Sequence, residues 1–191
     1  RQMCIRDRLK GGVDEGGVRV PFFVRWKNKI NSGKDVKKLA AHIDIFPTFA
    51  DLAGLKLNEK LSNQIEGRSL LKLIENPDAT WQDRCLFTQR ARWKTGAEPN
   101  DHMWQNFAVR NQRYRLVGER LFDMIKDPAQ KNDISKENAG VVESMRKAYD
   151  DFWKSSRPLM VNETVPMSKV RPYHVWFKEQ SMNKGIPTWD D

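Results

Sequence analysis

The sequence predicts an α/β chain in two parts: a strand of a parallel or mixed sheet with short helices, then a small antiparallel subdomain with one packed helix. Three observations predict it. The run Val20 to Val24 is short, apolar and free of polar alternation, and it follows the turn Gly16-Gly17. That pattern reads as a strand buried on both faces of a parallel or mixed sheet. Between Cys85 and Met124, short β-prone runs are separated by Asn111-Gln112 and Gly118-Glu119, which are turn signals. From 138 to 154, Val141, Val142, Met145, Ala148, Tyr149, Phe152 and Trp153 recur at helical spacing.

Along the chain, Gly16 and Gly17 permit a sharp backbone approach before the strand at 20–26. Residues 27 to 38 are rich in Lys, Asn, Gly and Ser and read as an exposed loop. Asp44 is the expected N-cap of a helix reaching about Leu52, with Pro47 tolerated in the first turn and Gly54 stopping it. Ile43, Phe46, Phe49, Ala50 and Ala53 fall on one face. A short helix after Ser69 uses Leu70, Leu71 and Ile74, and 75–79 reads as a linker. Strands are expected at 85–89, 107–110, 114–117 and 120–124, joined as a meander. Phe107, Val109, Tyr114 and Leu116 point one way, and Arg113 and Arg115 the other. Helix 138–154 is core against the meander. After Pro158 the chain reads as an irregular tail whose Tyr173, Trp176, Phe177 and Trp189 anchor it over the body. His42 and His174 are expected to pack.

Composition narrows the class. A chain of 191 residues can bury one core and a small second one. No apolar stretch approaches the ~20 residues of a membrane span. Cys4 and Cys85 do not make a disulfide framework. The formal charge is +9 and uneven, with +7 over residues 1–38 and +5 over 84–120. Such a field attracts anions. Basic residues are not interleaved with aromatics at stacking spacing, so no nucleic-acid module is expected. Residues 1–8 lack both periodicity and an apolar signal-peptide core, and read as a non-native leader.

Several segments together resemble one family. Lys10-Gly-Gly-Val-Asp-Glu15-Gly16-Gly17-Val-Arg19-Val-Pro21, running on to Trp26, resembles a Lys-Gly-x-x-x-Glu-Gly-Gly-Val-Arg-x-Pro segment of the formylglycine-dependent sulfatases, members of the alkaline phosphatase-like superfamily. Lys27-Asn28-Lys29 replaces the usual Pro-Gly after the tryptophan. Asp44-Ile-Phe-Pro47-Thr48 looks like the family's Asp-x-x-Pro-Thr helix, and Gly67-Arg68-Ser69-Leu70 like its Gly-x-Ser-Leu segment. Ala108-Val109-Arg110, Tyr114-Arg115-Leu116, Leu121-Phe122-Asp123 and Asp127-Pro128 look like its C-terminal subdomain. The resemblance implies a C-terminal portion of the fold. Residues 9–74 would end the catalytic domain, 75–157 would form the small α+β subdomain, and 158–191 the tail.

The resemblance also implies chemistry. Sulfate-ester hydrolysis develops negative charge on the sulfate and leaving-group oxygens, where a fixed ammonium contributes several kcal/mol of differential stabilisation in a dry site. Lys10 takes that place by resemblance, contacting both. Glu15 reads as structural, holding the turn through backbone N–H groups or pairing with Arg19, and Arg19 as a structural ion pair. The loop 89–104 is polar, basic and aromatic, and such loops carry specificity on rigid scaffolds. Arg92 would pair with a second sulfate or carboxylate, and Trp93 would stack on a sugar face. His102 completes the substrate-binding set, and Trp104 is a second stacking candidate.

The family's nucleophile segment, Cys (or Ser)-x-Pro-Ser-Arg with formylglycine at its first position, is not matched by Cys4-Ile-Arg6-Asp7-Arg8. Its Asp-Asp and Asp-Asn calcium ligands are not matched either, so calcium and formylglycine are expected upstream of this region. Residues 1–191 are therefore expected to be inactive alone. The expected partner is a sulfated small molecule or glycan, the expected location periplasmic or secreted, and oligomeric state stays open. A phosphodiester or phosphonate hydrolase of the same superfamily, and a non-catalytic polyanion-binding fragment, are the alternatives.

Overall fold

The computed structural model describes residues 11–30, 32–90, 93–94, 97–160 and 172–183. Its organising element is a four-stranded antiparallel sheet, β1 (Leu86–Gln89), β2 (Phe107–Arg110), β3 (Tyr114–Val117) and β4 (Arg120–Asp123), in the order β1-β2-β3-β4. The meander is the expected one. The β3–β4 turn pairs Val117 with Arg120, so Gly118-Glu119 is a two-residue connection. Gly118 has φ +60°, a conformation that tight hairpin turns demand and glycine adopts without steric cost. The register places Val109 opposite Leu116, and Leu116 opposite Leu121, in one apolar row.

That row is buried by the long helix of residues Ala139–Ser156. Met145, Tyr149 and Trp153 join Phe107, Val109, Leu116 and Leu121 in one core. Phe107 stacks on Tyr149 with ring centroids 4.6 Å apart. The other sheet face is covered too: Ala108, Val117, Phe122 and Met124 pack with Val13 from the segment following Lys10. Arg115 points to this second face as the alternation requires, but it is buried rather than solvated.

The first part of the chain supplies short helices: α1 (Glu15–Val18), α2 (Ile45–Leu52), α3 (Glu59–Ser62) and α4 (Leu71–Glu75). The long helix is thus α5, and α6 is Pro172–Asn183. Gly54, at φ +64°, ends α2 as its sequence position predicts. Asp44 stands at the N-cap position of α2 as expected, but its side chain makes no cap hydrogen bond to that helix. It closes a 3-10 turn, His42–Asp44, whose Ala41 N–H donates to Asp44 Oδ2 at 2.8 Å. Two residues after Trp26, Asn28 takes a left-handed φ of 64°. There the family pattern has Pro-Gly, and asparagine is among the few residues that tolerate this conformation. The Trp26 carbonyl accepts from Lys29 and Ile30 N–H groups.

Four expectations are corrected. Val20–Trp26 is not a strand: it is irregular, and Phe23 is 90% exposed. A two-sided strand needs neighbours on both edges, and among the described residues all strand pairing is used within 86–123. The apolar face of α2 is largely unburied for the same lack of a covering layer: Phe46 and Phe49 are exposed, while Thr48 and Ala50 are buried. The stretch after Pro158 is not wholly irregular, since 172–183 is helical, and Tyr173, Trp176 and Phe177 are exposed rather than anchored. Neither His42 nor His174 is packed inside; both are exposed.

Candidate functional site

Lys10 and Arg92 lie outside the described residues. The turn that follows Lys10 is described, and its construction is specific. Gly17 N–H donates to Asp14 C=O at 2.9 Å. A Cβ at Gly17 would stand 2.2 Å from the Gly12 carbonyl oxygen, so only glycine fits this approach. Glu15 then ties the turn to the sheet 100 residues away, where Arg115 Nη1 donates to Glu15 Oε2 at 2.9 Å. Arg115 Nη2 also donates to the Val13 carbonyl. Arg110 Nε stands 3.8 Å from Glu15 Oε2, and the Glu15 N–H donates to Gln130 Oε1 at 3.1 Å. Glu15 is structural as expected, but its ion-pair partners are Arg115 and Arg110, not Arg19, which is solvent-exposed. Burial lowers the Arg110 guanidinium from its ordinary range, opposed by the Glu15 charge.

A second buried charge sits beside the first. Asp44 is fully buried and accepts from the Ala41 N–H, the Arg68 N–H at 2.8 Å and the Arg84 guanidinium. Thr48 Oγ1 accepts from the Leu70 N–H at 2.8 Å, and Ser69 Oγ donates to Asp51 at 2.7 Å. A Cβ on Gly67 would meet the Ile43 carbonyl oxygen at 1.9 Å. The two segments Asp44-x-x-Pro47-Thr48 and Gly67-x-Ser69-Leu70 are therefore each other's partners. Sequence reasoning had not paired them. A buried aspartate on a helix entry, followed about 20 residues later by Gly-x-Ser, was the available signal.

Between these two nodes and β1 lies a cavity of about 540 Å³. Glu15, Arg19, Arg84, Arg110 and Arg115 line it, together with Phe22, Ile43, Leu86, Phe87 and Phe152. The charged wall and the aromatic wall face one space.

The loop of residues 97–104 is held from beneath. Gln89 Nε2 donates to the His102 and Met103 carbonyls, Tyr149 Oη to the Met103 carbonyl at 2.9 Å, and Trp153 Nε1 to Asn100 Oδ1 at 2.9 Å. Burial pushes the Tyr149 phenol well above its ordinary range, so it stays a donor. The structure does bring Trp93 and His102 together: their rings stack at 5.5 Å with 7° between planes. His102 Nδ1 lies 3.0 Å from Gln105 Oε1. Trp93 is half-buried against the sheet–α5 core. It therefore stacks on His102 on one side and packs against that core on another, which anchors the loop. Trp104 is more open, but Arg146 covers its ring at 4.4 Å.

Among the described residues, no three His, Cys, Asp or Glu side chains gather so as to hold a metal ion. They do not by themselves build a calcium site. Cys85 is half-buried and free, and its thiol is raised by burial and by the charge of Asp83. That suppresses the thiolate, and the sequence Cys85-Leu-Phe-Thr has no Pro-Ser-Arg pattern. No helix among the described residues is long and apolar enough to cross a membrane.

Comparison with known proteins places this architecture in the sulfatase fold. The crystal structure of Ps i-CgsB superposes with a TM-score of 0.64 at 22% identity, over 92% of this chain and 36% of that one. Residues 10–155 match the family described as N-sulphoglucosamine sulphohydrolase, C-terminal, and the chain belongs to that family. Human steryl-sulfatase is 28% identical over 149 residues, covering 63% of this chain and 25% of the relative. An N-acetylgalactosamine-6-O-sulfatase of Bacteroides thetaiotaomicron is 28% identical over 143 residues, covering 69% of this chain and 26% of the relative. The chain thus spans about a quarter of the length of these curated relatives.

Proposed function

We propose that the chain is the C-terminal part of a sulfuric ester hydrolase acting on a sulfated carbohydrate or aryl sulfate, and that Lys10 supplies the cation at the scissile sulfate. One observation carries the reading. The family match begins at Lys10, and the Glu15-Gly16-Gly17 turn that follows is clamped to the buried face of the sheet by Arg115. The turn downstream of this lysine is fixed on the sheet, and a preorganised charge is what stabilises a transition state. Relatives named as sulfatases of amino sugars support the carbohydrate class, and they favour sulfuryl over phosphoryl transfer. Formylglycine and calcium, which the described residues do not supply, belong on this reading to sequence upstream of Lys10. A periplasmic or secreted location follows from the same resemblance.

Two measurements test it. Purified residues 1–191 with added calcium release no sulfate from a chromogenic aryl sulfate. Turnover above a heat-killed control that survives Cys4→Ala would overturn the fragment reading altogether. In an active sulfatase carrying this segment, Lys10→Ala lowers kcat by about 10²-fold or more and changes KM far less, because the charge acts mainly in the transition state. An unchanged kcat would remove Lys10 from the site.

A further inference from the structure

The cavity between the first part of the chain and β1 collects more positive charge than its own carboxylates neutralise. Arg19, Arg84, Arg110 and Arg115 line it, against Glu15 and Glu66, with Asp44 behind Arg84. Four guanidinium groups thus line the space against two lining carboxylates, with Asp44 on Arg84 and the charge of Asp83 reaching Arg110 from outside the lining. Arg115 is committed to Glu15 and to the Val13 carbonyl. Arg84 is not fully committed: Nη2 bonds Asp44, but Nε and Nη1 are buried without a hydrogen-bond acceptor, and the side chain is only 9% exposed. Arg110 Nε is likewise buried without an acceptor, and Glu15 at 3.8 Å is beyond hydrogen-bond reach. Buried donors are nearly always paired, and charged ones cost most when they are not. An oxyanion with two or more acceptor oxygens, whether carboxylate or tetrahedral, matches guanidinium donors in both charge and geometry.

The rest of the lining defines what the oxyanion is attached to. Phe22, Ile43, Leu86, Phe87 and Phe152 form a wall of the same space, and Phe87 stacks on Phe152 with centroids 4.4 Å apart. An inorganic anion would leave that wall wet, whereas an aromatic or aliphatic body fills it, and few polar groups on a mostly apolar lining are the usual make-up of a small-molecule site.

We propose that this cavity binds an organic anion, its oxyanion held by Arg84 and Arg110 and its apolar body against Phe22, Leu86 and Phe152. That the oxyanion is a sulfate ester rests on the sulfatase reading above; the site itself does not.

The test is calorimetric titration of the 191-residue chain with 1-naphthyl sulfate, 1-naphthoate and 1-naphthol at fixed ionic strength, with circular dichroism on each variant. The expected result is saturable binding of at least one anion, about ten-fold or more tighter than naphthol, and weakened about ten-fold by Arg110→Met. Glu66→Gln, which removes an exposed competing carboxylate, leaves anion affinity equal or raises it. Binding of the naphthoate alone supports the cavity and counts against the sulfate class. Equal affinities for anion and naphthol, no saturation by about 1 mM, weaker binding in Glu66→Gln, or unchanged binding in a folded Arg110→Met would each overturn the site.

Discussion

Asp44 carries three interactions that no nearby residue can replace. Its carboxylate accepts from the Ala41 and Arg68 N–H groups and from Arg84, with no solvent access. Removing one member of a buried pair strands the other charge, which typically costs about 3–5 kcal/mol. Asp44→Ala is therefore expected to lose that much, read as a shift of the urea midpoint. Adding Arg84→Met should recover part of the loss, because the stranded charge goes with it. A loss below about 1 kcal/mol in the single variant would show that Arg84 escapes to water. The same logic explains why Glu15 was legible only in part. Its place in the Glu-Gly-Gly turn announced a structural role, but Arg115 stands 100 residues away and no local pattern pairs them. Arg19, four residues off, looked the nearer partner and turned outward.

The loop before β2 behaves as an element with its own foundation. Gln89, Tyr149 and Trp153 hold its backbone and Asn100, and Trp93 closes it by stacking on His102. Its composition suggested a substrate wall to which Arg92 and Trp93 contribute. The half-buried position of Trp93 against the core changes the expectation for that residue. Trp93→Ala should lower stability by about 2 kcal/mol, less than the 3–5 kcal/mol of a fully buried tryptophan, measured as a drop in thermal midpoint. An unchanged midpoint with an altered preference between sulfated sugars and aryl sulfates would return Trp93 to the substrate. Arg92 keeps its proposed role in specificity, which the same substrate comparison tests with Arg92→Ala. Periodicity served well for the sheet and α5, because both bury one face against the other within the same 70 residues. It misled at 20–26 and along α2, whose apolar faces have no cover among the described residues.

The molecule as a whole should lose its sheet in acid. Burial raises the Asp123 carboxyl, but the Lys126 N–H, Arg113 and the Ile125 N–H outweigh it, leaving it below the ordinary range. Asp133 is raised by burial and then lowered further by the Ser135 N–H and hydroxyl, the Leu121 N–H and the charge of Arg120. A carboxyl whose folded value is depressed stabilises the fold above its unfolded value of about 3.9, and that contribution disappears as pH falls through the folded value. Thermal midpoints should thus hold from pH 7 to about pH 5 and fall steeply below about pH 4. The double change Asp123→Asn and Asp133→Asn should flatten the acid limb; an identical limb would assign the loss to other carboxylates.

What the sequence determined by itself was whatever local periodicity and turn chemistry decide: the four strands and their Gly118 turn, the α5 stripe, the stop at Gly54, and the family that the ordered motifs from Lys10 to Pro128 resemble. Tertiary structure decided which distant groups meet. It joined Asp44-x-x-Pro-Thr to Gly67-x-Ser-Leu, seated Glu15 on Arg115, and gathered Arg84 and Arg110 around one cavity. The physical reason is range. Side-chain spacing along a strand or helix is set by backbone geometry within a few residues, whereas a buried charge finds its partner only where the folded chain brings one within hydrogen-bond distance.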